Sequence, residues 1–221
     1  MSPILFKNVF KETAYAKNMI KTIIFDLGNV IVKVNWNTFY KKAVVKSNKS
    51  LQYIKKYCEN PSKNIIDFEL GKINSEEFYN KITNDLCLKM SFKDFKAAYC
   101  NIFPLNENVA GIIKKLKKNY RLVLLSNTDK LHFEFIKNKY KIVDIFDEYV
   151  LSYKEGCRKP NPLIFLKAIK KAKAMPFNCL YFDDIPEFVL AARMLGIKAF
   201  QYKNFEKLKN DLKKAGVLTK P

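Results

Sequence analysis

Acidic and polar residues follow directly after apolar runs that are typical of buried strands. Three such runs end in Asp26, in Ser126-Asn127 and in the pair Asp183-Asp184. In open α/β folds, ligands bind in the crevice outside the carboxyl ends of the parallel strands. We therefore expect these side chains to meet at one edge of a sheet.

Phosphoryl transfer through a carboxylate needs the residue types found at these positions. An exposed carboxylate attacks phosphorus, and Mg²⁺, held by one or two carboxylates, neutralises the phosphate oxygens. A hydroxyl or backbone donor and a cation offset the spreading charge. The residues that fill these places in turn are Asp26, Asp183 with Asp184, Ser126 with Asn127, and Lys159. Each has a simpler structural explanation when taken singly, but their order along the chain favours a phosphate and metal site.

The elements that must position these residues alternate between helix and strand from residue 106 onward. We expect helices over 107–119, 129–138, from Pro160 and Pro162 through 169, and 186–195, with strands over 121–126, 149–151, 179–183 and 198–200. Alternation over this length predicts a parallel sheet covered on both faces. The predicted class is therefore α/β, with a Rossmann-like sheet sandwiched by helices.

The segment between the first strand and residue 106 has only helical periods. Helices are predicted over 37–45, 51–57, 75–86 and 92–102, and a capping box of Asn74 and Glu77 begins the third of them. The prediction is an all-helical cap at 35–105, inserted after the first strand of a core formed by 19–34 and 106–221. Such a cap can close over the strand ends as a lid. The alternative is that these helices simply continue the core.

Residues 1–18 precede the first strand and contain only a short apolar patch, which is too short for the core of a signal peptide. We expect this extension to be dispensable. The five cysteines are odd in number and form no CxxC pair, which argues against disulfides and a zinc site and predicts a reducing, cytoplasmic location. The single histidine, His132, is interpreted as a polar side chain on a helix rather than as a catalytic group.

The formal charge of +20 raises the possibility of a nucleic-acid partner. Three residues, Arg121, Arg158 and Arg193, are the only arginines, although arginine is the residue that phosphate and base recognition favours. The lysines are interrupted by apolar residues at helical spacing, which is typical of solvated helix faces. We therefore expect a small anionic substrate, namely a phosphate ester, rather than a nucleic acid. We expect no membrane span, because no apolar run approaches the roughly 18 residues required.

Four segments together resemble the motifs of the haloacid dehalogenase-like (HAD) hydrolase superfamily. They are Asp26-Leu27-Gly28-Asn29-Val30, Ser126-Asn127-Thr128, Arg158-Lys159-Pro160 and Phe182-Asp183-Asp184. The helical insertion is similar to the cap of subclass I. The first motif, with Glu69-Leu70-Gly71-Lys72-Ile73 in the cap, is most similar to the bacterial branch that includes an α-D-glucose-1-phosphate phosphatase.

The resemblance implies a role for each matching position. Asp26 would form an aspartyl-phosphate that water hydrolyses. Mg²⁺ would bind Asp26, the backbone carbonyl of Gly28 and Asp184, with Asp183 assisting directly or through water. The phosphate would be held by Ser126, the Asn127 backbone amide and Lys159.

Three positions depart from the pattern of the superfamily. Gly28 stands where most of its phosphatases carry an acid–base Asp, Phe188 stands where Asn is frequent, and Lys33 stands where Asp is frequent. The glucose-1-phosphate branch shares the missing acid, and an anomeric oxygen is a leaving group that needs protonation less.

The sequence therefore predicts an Mg²⁺-dependent phosphatase with a sugar phosphate as the first choice of substrate. Gly28 and Phe188 motivate the main alternative, an inactive scaffold that still binds phosphate and metal. A polynucleotide-binding protein is a second alternative. A haloacid dehalogenase is disfavoured, because a metal-free enzyme does not need the tandem Asp183-Asp184.

Overall fold

Five parallel strands form one sheet in the computed structural model, which describes residues 19–218. The strands are β1 (Thr22–Phe25), β2 (Arg121–Ser126), β3 (Glu148–Leu151), β4 (Cys179–Asp183) and β5 (Lys198–Gln201). Their order across the sheet is β3-β2-β1-β4-β5, and every neighbouring pair is parallel. Both strands that flank β1 therefore end at the same edge as β1, which confirms the predicted sheet.

The strands are apolar because helices cover the sheet on both faces. Successive residues of β1 enter opposite cores, with Ile23 and Phe25 in one cluster and Ile24 in the other. The helices of the core are α6 (Glu107–Leu116), α7 (Lys130–Lys139), α8 (Ser152–Glu155), α9 (Pro162–Ala172), α10 (Pro186–Met194) and α11 (Phe205–Lys214). Short 3-10 turns occupy Lys141–Ile145 and Pro176–Asn178. No helix within residues 19–218 has the length and hydropathy of a membrane span.

Five helices lie between β1 and α6, and no strand occurs within residues 37–100, as predicted. We call them the cap helices: α1 (Asn37–Val45), α2 (Leu51–Glu59), α3 (Lys63–Glu69), α4 (Ser75–Asp85) and α5 (Phe92–Cys100). The predicted capping box begins α4, because Asn74 accepts from the Glu77 N–H at 3.0 Å and Glu77 accepts from the Asn74 N–H at 2.9 Å. Buried aromatic rings join the helices, as in the Phe68–Phe78 stack with centroids 4.1 Å apart.

The two chain segments that connect the cap helices to the core run side by side. The Lys33 N–H donates to the Pro104 carbonyl at 2.9 Å, and the Asn35 N–H donates to the Ile102 carbonyl at 2.8 Å. These bonds lie at the predicted limits of the insertion. The division into a cap at 35–105 and a core at 19–34 and 106–221 remains a prediction that this pairing supports.

Three helices were not predicted from the sequence: α3, α11 and the four-residue α8 (Ser152–Glu155). The expected break at 60–62 is present, but Ser62 then begins the short helix α3, whose seven residues are too few to show a period. Helix α11 is mostly charged and buries Leu208 and Leu212 against the core. The predicted extension at 1–18 lies outside the described residues.

Gly71, at the end of α3, lies close to the backbone of the core. Its φ of +69° is left-handed, and an added Cβ would lie 2.1 Å from the Tyr153 carbonyl oxygen of α8. We expect Gly71→Ala to lower the free energy of unfolding by about 2 kcal/mol or more, since the backbone conformation alone costs roughly 1–2 kcal/mol. Thermal unfolding should then show a melting temperature about 4 °C lower or more.

The matched control is Gly111→Ala in α6, where an added Cβ meets nothing within 4 Å. Alanine favours a helix interior over glycine, so this variant should be neutral or slightly more stable. Equal melting temperatures for the two variants would contradict the close approach at Gly71.

Candidate active site

Asp26 lies at the carboxyl end of β1, in the middle of the sheet. Its backbone N–H donates to the Phe182 carbonyl of β4 at 2.9 Å, so the end of β1 is held beside Asp183. The Asp26 side chain is 9% exposed. Burial raises the pKa of Asp26 to about 7, although Lys159 opposes the shift. The carboxylate therefore lies in surroundings that favour a cation beside it.

Lys159 provides one such cation and joins two strand ends. Its Nζ donates to Asp26 Oδ1 at 2.7 Å, to Asp183 Oδ2 at 2.6 Å and to the Leu125 carbonyl at 3.3 Å. Burial disfavours the ammonium, but the Asp26 and Asp183 carboxylates outweigh this effect and raise the pKa of Lys159. The lysine is therefore charged, and it fixes the position of the Asp26 carboxylate.

The tandem acids have different surroundings, a difference that the sequence could not resolve. Asp183 is fully buried and accepts hydrogen bonds from Lys159, from the Tyr181 hydroxyl and, at 2.9 Å, from the Ile185 N–H. Asp184 is less buried and accepts from Asn29 Nδ2 at 3.0 Å. Asp183 is therefore committed to holding Lys159, whereas Asp184 has oxygen lone pairs left for another ligand.

The three carboxylates could hold a metal ion. Asp26, Asp183 and Asp184 each present an oxygen within 4.8 Å of the others. Burial raises the pKa of Asp184, and the neighbouring Asp183 charge adds to this rise. Hard oxygen donors that repel one another fit a divalent cation such as Mg²⁺, which would relieve the repulsion.

Ser126 and Asn127 lie at the end of β2, facing the same cavity. Ser126 is buried, and its hydroxyl makes one long contact, 3.4 Å to the Asn127 carbonyl, which leaves capacity for a ligand. The Asn127 side chain clamps the Lys159 backbone, since Nδ2 donates to the carbonyl at 3.0 Å and Oδ1 accepts from the N–H at 2.8 Å. No pattern in the sequence predicted this clamp.

The turn after Asp26 contains Gly28, the position at which the acid–base Asp is missing. Gly28 lines the cavity, and an added Cβ would lie 3.5 Å from Val34 Cγ2, an ordinary contact. Asn29 has a left-handed φ of +53°, and its side chain joins Asp184 to the Val34 N–H. The turn therefore has room for a Cβ at position 28, so the backbone there does not require glycine.

Phe188 and Lys33, the other two positions that depart from the superfamily pattern, have different surroundings. The Phe188 ring lies over Lys159, with its centroid 5.1 Å from Nζ, and the Tyr181 ring centroid lies 6.0 Å from the same atom. Aromatic faces attract cations, so these rings help to position the ammonium. Lys33 is exposed and is not among the residues that line the cavity.

A cavity of about 470 Å³ lies above Asp26, between the core and the cap helices. Much of its wall is apolar, with Trp36, Ile65, Phe103 and Ile136. Beyond the strand-end residues, three charged side chains also line it: Glu59 from α2, Glu69 from α3 and Arg158, the residue before Lys159. Arg158 Nη2 lies 3.1 Å from Glu69 Oε2. Sequence reasoning assigned no role to either residue, although both lie within motifs that it singled out.

His132 lies on α7, the helix that follows β2, as interpreted, but it is buried. Its Nδ1 lies 2.8 Å from Asp129 Oδ2, and its Nε2 lies 3.1 Å from the Tyr99 carbonyl of α5. The Tyr99 hydroxyl donates to the same Asp129 carboxylate at 3.0 Å. His132 therefore ties a cap helix to the core at the edge of the cavity.

A parallel α/β core with a carboxylate at a central strand end, covered by inserted helices, defines a class of hydrolases. Residues 20–196 match the model of the haloacid dehalogenase-like hydrolase family, and the chain belongs to this family. It is 30% identical over 198 residues to a D-ribitol-5-phosphate phosphatase from Bacteroides thetaiotaomicron, covering 84% of this chain and 93% of that one. It is 24% identical over 180 residues to a sesquiterpene phosphatase from Aspergillus oryzae, covering 80% and 87%.

Solved structures show the same fold. The chain is similar to a HAD family enzyme from Bacteroides thetaiotaomicron in a magnesium complex, with 26% identity, a TM-score of 0.74 and coverage of 83% of this chain and 93% of that one. A HAD-like hydrolase from Porphyromonas gingivalis superposes with a TM-score of 0.74 at 24% identity, covering 89% and 98%. The family and the capped α/β fold expected from the sequence are thus confirmed.

The Lys159 interaction generates a prediction about stability and metal. Lys159→Met leaves Asp26 and Asp183 buried without their shared cation. With EDTA present, this should lower the free energy of unfolding by about 3 kcal/mol or more. Because a divalent cation can replace the lost positive charge, Mg²⁺ should raise the melting temperature of this variant more than that of the unaltered protein.

The control for this test is Lys171→Met, which removes a lysine bound to the Tyr149 carbonyl and Glu155, away from the strand ends. It should keep the Mg²⁺ shift of the unaltered protein. An equal Mg²⁺ shift in Lys159→Met would contradict a metal site beside this lysine.

Proposed function

We propose that this enzyme is an Mg²⁺-dependent phosphatase that hydrolyses a small phosphorylated metabolite, with a sugar phosphate as the first choice. The observation that carries the proposal is the meeting of Asp26, Lys159, Asp184 and Ser126 at one sheet edge, facing one cavity. The chain belongs to a hydrolase family, and the relatives that it resembles include phosphatases. The ribitol phosphate phosphatase among its relatives supports a polyhydroxylated substrate.

Each site residue has a role in this mechanism. An Asp26 oxygen attacks phosphorus, the bond to the ester oxygen breaks, and an aspartyl-phosphate forms that water then hydrolyses. Lys159 and the Ser126 hydroxyl hold the phosphate oxygens, together with the Asn127 backbone amide. Asp183 keeps Lys159 in place. Asp26, Asp184 and the Gly28 carbonyl would hold Mg²⁺, which would neutralise the phosphate charge when bound.

Mg²⁺ is the metal that the donor set and the relatives support. The three carboxylates supply hard oxygen ligands. The similar enzyme from Bacteroides thetaiotaomicron forms complexes with magnesium and with inorganic phosphate. The five cysteines, all free thiols, support the proposed cytoplasmic location.

A scaffold without turnover is the alternative that Gly28 favours, because this position offers no acid to protonate the leaving group. Phosphate release from a panel of sugar, nucleotide and aryl phosphates, with and without Mg²⁺, decides between the two. We expect Mg²⁺-dependent release from at least one ester. Release from none, combined with measurable binding of phosphate, would establish the scaffold, and a salt-sensitive shift of DNA on a gel would favour a polynucleotide partner.

The nucleophile assignment predicts that Asp26→Asn lowers kcat by about 10³-fold or more, because an amide cannot form the acyl phosphate. The fold should persist, since Asp26 ends a strand. The control Asp144→Asn, in the 3-10 turn at Lys141–Ile145, should keep full turnover. Normal turnover in Asp26→Asn, with loss in Lys159→Ala, would show that another residue is the nucleophile.

Because position 28 is a glycine, we predict that the hydrolysis rate depends steeply on the acidity of the leaving group. Without an acid at this position, aryl and anomeric phosphates should be hydrolysed much faster than phosphates of primary alcohols, as measured by kcat/KM across a series. Gly28→Asp should fit the turn and flatten this dependence, raising the rate on primary-alcohol phosphates by about 10-fold or more. A flat profile in the unaltered enzyme would mean that another group supplies the proton.

A further inference from the structure

Glu69 and Arg158 form a charged pair across the junction between the cap helices and the core. Glu69 is the last residue of α3, and Arg158 precedes Lys159 in the loop between α8 and α9. Arg158 Nη2 lies 3.1 Å from Glu69 Oε2, and both side chains are largely buried. Both line the cavity above Asp26, so the pair faces the part of a substrate that lies beyond its phosphate.

The pair is enclosed, yet its hydrogen bonding is incomplete. Glu69 Oε2 and Arg158 Nε are buried atoms that find no hydrogen-bond partner in the described part of the chain. The 3.1 Å contact brings opposite charges together without the alignment of a hydrogen bond. Burial raises the pKa of Glu69, and Arg158 opposes the rise. Buried polar atoms are nearly always satisfied, so this pair, whose residues line the cavity, has hydrogen-bonding capacity that a ligand group could use.

The chemistry of the two atoms selects the ligand group. Glu69 Oε2 needs a donor, and Arg158 Nε needs an acceptor. A hydroxyl offers both on one oxygen. A second phosphate or a carboxylate would be repelled by Glu69, an ammonium would be repelled by Arg158, and an alkyl chain would leave both atoms unsatisfied.

We infer that Glu69 and Arg158 together bind a hydroxyl of the alcohol portion of the substrate, so that the enzyme selects phosphates of polyols over phosphates of simple alcohols. The inference rests on the proposed function, because it takes the phosphate to lie at Asp26. The apolar wall of Trp36, Ile65 and Phe103 would pack against the carbon chain of the substrate. The charged pair would form hydrogen bonds with a hydroxyl on that chain.

The test compares two esters with similar leaving groups, a pentitol 5-phosphate and pentyl phosphate. A site that hydrogen-bonds a hydroxyl discriminates strongly against an analogue that lacks it. We expect kcat/KM to favour the pentitol ester by about 100-fold. The Glu69→Met side chain is similar in length but has no carboxylate acceptor. This variant should lower kcat/KM about 30-fold for the pentitol ester and less than about 3-fold for pentyl phosphate. Glu69→Gln, which keeps one acceptor oxygen, should recover part of this loss.

The control for the variants is Glu148→Gln, which alters another Arg–Glu pair, Arg121 with Glu148 at 3.1 Å, at the opposite end of the sheet. It should keep the preference of the unaltered enzyme. If Glu69→Met fails to fold, the comparison of the two esters in the unaltered enzyme and in Glu69→Gln remains decisive. An unaltered enzyme that treats both esters alike overturns the inference, as does an equal loss on both esters in the Glu69 variants.

Binding separates this inference from the proposed function. In an Asp26→Asn background, calorimetry should show tighter binding of the pentitol ester than of pentyl phosphate, and adding Glu69→Met should remove the difference. If neither ester is hydrolysed by the unaltered enzyme but this difference in binding persists, the proposed function fails and the hydroxyl site stands. Equal binding of the two esters overturns the hydroxyl site whatever the turnover.

Discussion

The Lys159 ammonium, enclosed between Asp26 and Asp183, is the interaction on which the site depends. Asp26 and Asp183 end adjacent strands, so the parallel pairing of β1 with β4 places two buried carboxylates side by side. Buried charges are tolerated when they are paired and hydrogen-bonded. The lysine supplies this pairing from the loop between α8 and α9, so one ammonium fixes the relative positions of two strand ends and a loop. The Asn127 clamp on the Lys159 backbone then adds the end of β2.

Sheet topology explains why these groups meet at all. The order β3-β2-β1-β4-β5 places β1 at the centre, and the chain visits one side before the other, so the crevice opens at the carboxyl end of β1. Every residue of β1 is buried, and Asp26 is the first position where the chain leaves the sheet. The same crevice is where the inserted helices begin. The position of the Asp26 carboxylate and the position of the helices that cover it therefore follow from one feature of the topology.

Local signals predicted what depends on neighbouring residues in sequence. These signals correctly placed β2 and β4 from their apolar runs, the Asn74–Glu77 capping box and the proline at the start of α9. Each signal acts through residues that are close together in the sequence. Contacts between distant segments carry no such signal. The Tyr181 hydroxyl on Asp183, the Asn127 clamp and the Glu69–Arg158 contact depend on the three-dimensional arrangement, as does the separation of roles between Asp183 and Asp184. Helices α3 and α11 were missed because α3 is short and α11 buries few apolar residues.

In the mechanism that we propose, the site divides the substrate between two parts of the chain. Asp26, Ser126 and Lys159 belong to the core and would face the phosphate, where charge develops. Glu69 belongs to the cap helices and would face the alcohol. In this mechanism, glycine at position 28 provides no acid for the leaving oxygen. Selection among esters would then depend on leaving-group chemistry and on the cap helices. Arg158 connects the two parts, because it contacts Glu69 and is covalently joined to Lys159. An alcohol that completes the hydrogen bonding of Arg158 would therefore also steady the loop that carries Lys159, which links recognition of the alcohol to the position of the phosphate-binding cation.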